Sequence, residues 1–181
     1  MSLDLLQRVQ RLEALEAIQR LKAHYSALAD AKYTAGYERQ EPARMRELAL
    51  QQAACFTEHA VWFGGEFGGD RVGRVALAQW FEHSPWRWAA HYYQSPRIEL
   101  EANLTQASAT WLLWQLALRA DNGEAIFLTA TTAEQYRFCE QQGWLIDSMR
   151  FTDLHVMPAN LGSLPIHPHL QSLDAARRGP E

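Results

Sequence analysis

From Leu5 the apolar side chains recur at Leu5, Val9, Leu12, Leu15, Ile18, Leu21, Tyr25 and Leu28. Spacings of three and four predict one face of a long amphipathic helix that stops between Asp30 and Gly36. Pro42 suits the first turn of a second helix, because proline lacks an N–H that this turn leaves unbonded in any case. Met45, Leu48, Gln52 and Phe56 share its inner face. A short strand is expected over residues 60–63, and the glycines at 64, 65, 68 and 69 break it into a flexible turn. A third helix follows Gly73 and runs to about His83.

After Pro85 the pattern changes to alternation, with strands expected over 91–100, 109–119, 125–138 and 144–156. Asp121-Asn122-Gly123 and Gln141-Gln142-Gly143 are hairpin signals, so these strands should pair antiparallel as a meander. Helices first and strands afterwards predict an α+β fold with about three N-terminal helices packed on one face of a curved sheet. Residues 158–181 carry four of the seven prolines and little periodicity, and read as an irregular tail to a single domain over 1–157.

Composition narrows the function classes. The 181 residues are 48% apolar, with 17 basic against 21 acidic side chains and no basic cluster, which gives no phosphate-neutralising surface. Nucleic-acid and membrane-surface partners are therefore not expected. No apolar run approaches the ~18 residues of a membrane span, no secretory leader pattern opens the chain, and Cys55 and Cys139 lack metal or disulfide spacing, so a cytoplasmic protein is expected. His167-Pro168-His169 has no accompanying ligand cluster, the glycines do not form a dinucleotide fingerprint, and neither Ser26 nor Cys139 has a nucleophile signature. No metal and no cofactor are expected. The charged residues between 7 and 22 read as a solvated helix face.

Several segments, taken in order, resemble the SnoaL-like branch of the nuclear transport factor 2-like superfamily. They are 15–22 leading to Tyr25 and Asp30, then Phe56-Thr57-Glu58-His59-Ala60-Val61-Trp62, Gly73-Arg74-Val75-Ala76-Leu77, the strand from His91 to Ile98, and Gly143-Trp144-Leu145-Ile146. The resemblance covers roughly residues 10–157 and implies a cone-shaped fold. Within the branch the chain is similar to lyases: bile acid 7-alpha-dehydratase, scytalone dehydratase and hexachlorocyclohexane dehydrochlorinase. Their helix-borne Tyr or Lys, the Asp five residues on and the His of the first long strand match Tyr25, Asp30 and His91. A polar group on the next strand, an Asp in the bile acid enzyme, falls on Gln115, which removes a negative charge. The dehydrochlorinase arginine corresponds to either Arg137 or Arg150.

What the resemblance implies is a cofactor-independent lyase or isomerase acting on a small hydrophobic cyclic or aromatic molecule. His91 would be the general base, Asp30 its orienting partner and Tyr25 the acid or oxyanion donor. Alternation puts Trp111, Leu113 and Gln115 on one face of their strand and Leu112, Trp114 and Leu116 on the other. If Gln115 faces the cavity, Trp111 and Leu113 do too, with Trp62 opposite and Arg150 as a further contact. Trp80, Trp86 and Trp88 are expected under the third helix or in a lid. Taken singly, Tyr25 reads as a core residue, Asp30 as a helix-end carboxylate and His91 as a structural imidazole. A binding-only or assembly protein, similar to the small subunit of ring-hydroxylating dioxygenases, retains the same groups, and monooxygenation or cyclisation is a third reading. A homotrimer or homodimer formed through the open sheet is expected.

Overall fold

The computed structural model describes residues 4–65 and 67–159; the expected tail, with His167 and His169, lies almost wholly outside them. Three helices precede or interrupt the strands: α1 (Leu5–Ala31), α2 (Pro42–Ala54) and α3 (Arg74–Glu82). The strands are β1 (Phe56–Phe63), β2 (Arg71–Val72), β3 (Trp86–Leu100), β4 (Gln106–Arg119), β5 (Ala125–Cys139) and β6 (Gly143–Pro158). They form one sheet in the order β2-β1-β6-β5-β4-β3, in which only β1 and β6 run parallel. This is the expected α+β cone. Helix α1 crosses β3 and β6, α2 packs on α3, and the sheet stays open at β3.

The meander forms where the turn residues allow it. Gly123 and Gly143 adopt φ of 72° and 74°, a region that costs glycine nothing, and each turn reverses the chain into the next antiparallel strand. Bulges at Gln94/Arg97, Thr129/Thr131 and Gln135/Tyr136 bend the long strands around the helices. Pro96 is tolerated in β3 because this is the edge strand. Among the described residues no helix is long and apolar enough to cross a membrane.

Three expectations require correction. Strand β1 begins at Phe56, so this side chain leaves the α2 stripe and enters the sheet core, fully buried. Strand β3 begins at Trp86, five residues early, and the two-residue β2 had no legible pattern. The α1 stripe is buried only from Ala14 onward. Leu5, Val9 and Leu12 stand in solvent, and an Asp4–Gln7 capping box closes the first turn.

The solvated reading of Lys22 is the fourth correction. Its side chain is 1% exposed, three residues before Tyr25 and four after Ile18, on the helix face that meets the sheet. Lys22 Nζ lies 2.5 Å from Glu134 Oε1 and 3.7 Å from the centroid of the Tyr93 ring. Thr132 Oγ1 donates to Glu134 Oε1 at 2.6 Å, and the Tyr136 hydroxyl donates to the other carboxylate oxygen. A buried carboxylate with three donors is compensated; with its ammonium removed it is not. Lys22→Met should therefore cost about 3–5 kcal/mol of stability, read from urea unfolding. A loss below about 1 kcal/mol would show that the pair contributes no more than a surface contact.

Candidate active site

The last turns of α1 and the edge strand β3 build the centre of the site. Ser26 and Asp30, four residues apart, share the helix face that covers the sheet edge at His91. Ser26 Oγ donates to the His91 carbonyl at 3.1 Å, while Asp30 Oδ1 accepts the His91 backbone N–H at 3.0 Å and its ring Nδ1–H at 2.7 Å. The edge residue thus has both main-chain groups satisfied by helix side chains. The ring is fixed as the Nδ1–H tautomer, which leaves Nε2 as the nitrogen able to take a proton. The imidazole is 14% exposed and the carboxylate 38%.

Tyr25 reaches the imidazole region from the other side of the helix. It is 5% exposed and lines a cavity together with His91, Lys32, Gln52, Trp62 and Gln115. Asp30 does not line this cavity; it borders a shallow groove behind the imidazole, shared with Lys22, Ser26 and Trp111. The five-residue offset between Tyr25 and Asp30, an arc of ~140° on a helix, therefore places the phenol in front of the ring and the carboxylate behind it. The cavity volume is about 50 Å³, which admits ordered water but not a ring until the wall moves.

Register settles the sheet wall. His91 pairs with Gln115 and Tyr93 with Leu113, and directly opposed residues point to the same face. Leu113 and Gln115 are 1% and 3% exposed and line the cavity with Trp62, whereas Leu112, Trp114 and Leu116 are 42–50% exposed on the outer face. Trp111 shares the inner face but not the cavity: it lies lower in the cone, where its Nε1 donates to the Tyr136 hydroxyl at 3.0 Å. Arg150 is also outside, with its guanidinium 3.8 Å over the Phe63 ring, and Arg137 pairs with Asp147. Neither arginine reaches the site. Trp80 and Trp86 line the cavity, Phe67 stacks on Trp86 with centroids 5.7 Å apart, and Trp88 packs on Tyr37.

Sequence reasoning alone misses Lys32 and Gln52 as cavity residues. Gln52 carried a signal, a polar residue inside the apolar stripe of α2. Lys32 carried only its position two residues after Asp30. Its side chain is buried and Nζ donates to the Phe81 carbonyl at 3.0 Å. Burial draws the ammonium down to about 7, against the pull of Asp30 and with the push of Arg39. Burial has the opposite sign for the phenols: Tyr25 and Tyr93 are both held well above their usual range, first by desolvation. For Tyr25 the Glu134 charge adds to the rise, and hydrogen bonding from Tyr93 and Gln52 opposes it. The phenol stays protonated as a hydrogen-bond donor. Burial raises Cys55 to about 11, so it is not a thiolate nucleophile. Among the described residues no cluster of three metal-ligating side chains occurs.

The open α+β cone is the fold of the nuclear transport factor 2-like superfamily. The sequence profile of the SnoaL-like domain matches residues 44–150, more than half of the chain, and the chain belongs to that family. No curated protein matches the sequence. Among solved structures it is similar to a hexachlorocyclohexane dehydrochlorinase from Novosphingobium barchaimii, with 16% identity and a TM-score of 0.67 over 89% of this chain and 99% of that one. A candidate scytalone dehydratase from Novosphingobium aromaticivorans shows 17% identity and a TM-score of 0.64 over 87% and 99%. A superfamily member from Salmonella enterica shows 14% identity and 0.61 over 87% and 99%. At these identities the likeness establishes the fold.

The lowered Lys32 has a stability consequence. Between about 7 and 10.5 the unfolded chain holds a proton that folded Lys32 has released. Stability from this group is lowest below about 7 and rises with pH across that window. The urea midpoint of the wild type should therefore climb over this range more steeply than that of Lys32→Met. Parallel pH curves would show that Lys32 titrates as if in water.

Proposed function

We propose that the protein is a lyase or isomerase that moves a proton on a small hydrophobic cyclic or aromatic substrate. The observation that carries the reading is the 2.7 Å contact of Asp30 with His91 Nδ1, beside a cavity that the imidazole shares with the Tyr25 phenol. His91 Nε2 takes a proton from carbon next to an activating carbonyl, and the C–H electron pair passes into an enolate. Asp30 holds the tautomer and stabilises the imidazolium that forms. Tyr25, kept neutral by burial, donates a hydrogen bond to a developing oxygen. In a dehydration the enolate pair then expels a hydroxyl group, which leaves as water with the proton returned from the imidazolium.

The dehydrochlorinase and the candidate scytalone dehydratase support elimination by analogy of fold. A small cavity needs the aromatic wall at Phe67 and Trp86 to move before a ring can enter. That smallness is also the observation that favours a second reading, in which the cone only supports a partner, as in ring-hydroxylating dioxygenases. Isolation of the protein with a Rieske-type large subunit would decide for it.

We also propose self-association through the outer face of β3 and β4, where Tyr92, Leu112, Trp114 and Leu116 form an exposed apolar strip. Trp114→Glu should then convert a homodimer or homotrimer into a monomer on light scattering, and a wild type that is already monomeric at micromolar concentration would overturn this.

With a cyclic β-hydroxy ketone as substrate and enone absorbance as readout, His91→Ala should lose more than ~100-fold in rate, the usual worth of a positioned base. Asp30→Asn and Tyr25→Phe should lose activity in the same assay. Retention of full rate by all three variants would refute the lyase reading.

A further inference from the structure

Buried polar atoms are rarely left without partners, because each orphan costs about 1–3 kcal/mol. In this protein such atoms are concentrated. Among the described residues the orphaned buried side-chain atoms include Trp62 Nε1, Gln115 Nε2 and Gln52 Oε1, and all three residues line the cavity in front of His91. Two are donors, on side chains 2% and 3% exposed. Lys32 lines the same cavity with three N–H groups and one bonded acceptor, the Phe81 carbonyl. No Asp or Glu is among the described residues of its wall. The described wall therefore offers two orphaned donors and a lysine against one orphaned acceptor, and that lysine is a cation below about 7.

We infer that Lys32, with Gln115 Nε2 and Trp62 Nε1, forms an anion-binding end of the cavity that takes the ionised oxygen of an enolate, phenolate or carboxylate group on a cyclic ligand. The inference rests on the lyase reading for its place in catalysis: the oxygen held here is the one that becomes negative when His91 removes the neighbouring proton. It gives the substrate an oxygen handle and disfavours a purely halogenated ring, since carbon-bound chlorine is too weak an acceptor to satisfy an ammonium and two buried N–H groups. Gln52 Oε1, the orphaned acceptor, is left for a hydroxyl on the same ligand. A cavity that merely held water would show no preference between an anionic and a neutral ring.

The probes are 4-nitrophenol, whose anion absorbs in the visible, and toluene as a neutral ring of similar size. Wild type should bind the nitrophenolate and raise its ionised fraction above that of the free phenol at the same pH. Lys32→Met and, separately, Gln115→Leu should each weaken nitrophenolate roughly tenfold or more while toluene, measured by calorimetry, stays within roughly threefold. Retained toluene binding reports that each variant is folded. Equal affinity of the wild type for both probes, absence of nitrophenolate binding at millimolar concentration, or unchanged nitrophenolate affinity in both variants would overturn the site. His91→Ala should keep the anion preference. Loss of turnover in that variant with the preference intact leaves both readings standing, whereas His91-dependent turnover without any anion preference overturns this site alone.

Discussion

One carboxylate oxygen holds the working end of the cone together. Asp30 Oδ1 accepts two N–H groups of the same residue, His91, from backbone and ring. The backbone bond matters to the fold: β3 is an edge strand, and an unpaired edge N–H is otherwise offered to solvent or to another chain. The ring bond matters to the chemistry, because it selects the tautomer. Since both go to one atom, the orientation of the imidazole is referenced to the sheet edge and not to a free side-chain rotor. Ser26, one helical turn earlier, closes the matching carbonyl. A helix face of two short polar residues is thus spent on a single strand residue.

Below this mouth the cone contains two buried lysines that obey different rules. Lys22 meets a carboxylate, and the carboxylate is further satisfied by Thr132 and Tyr136. Every charge there has a partner, which rigidifies the narrow end and anchors α1 to β5. Among the described residues Lys32 meets the Phe81 carbonyl and, at 5.5 Å, the Phe81 ring, and forms no ion pair. Its ammonium is expensive to keep dry, and its pKa falls accordingly to about 7. The two residues are ten positions apart on or just after the same helix, so the contrast comes from what the sheet presents to each: Glu134 to the first, and an amide at Gln115 to the cavity wall near the second.

How much of this was legible depended on whether a residue's environment is local. Turn glycines at 123 and 143 and the alternation of β4 act within a few residues, and their consequences are readable, as is the start of α2 at Pro42. Phe56 was misplaced because a helix stripe and a strand that follows without a break offer the same residue at the right spacing. The burial of Lys22 is also written in the spacing, at i+4 from Ile18 and i−3 from Tyr25, although its charge points to solvent. Trp111 and Arg150 show the other failure. Alternation assigns a face, not a depth, and Trp111 is on the inner face at the level of Tyr136 rather than His91. Arg150 sits at a level where the sheet turns its guanidinium outward over Phe63.

The placement of Tyr25 carries the same distinction between face and depth into the mechanism. Five residues separate it from Asp30, so no single helix face presents both, and a site built only from one face would contain one of them. The imidazole resolves this by standing between the two, gripped from behind and open in front. The Lys22–Glu134 pair then acts at one remove: its ammonium lies 4.7 Å from the Tyr25 ring centroid and 3.7 Å from that of Tyr93, while the Glu134 charge pushes both phenols further from ionisation. A phenol surrounded in this way is a poor proton source and a firm hydrogen-bond donor. In the proposed mechanism proton transfer therefore falls to His91, whose ring is backed by the Asp30 carboxylate and keeps partial access to solvent.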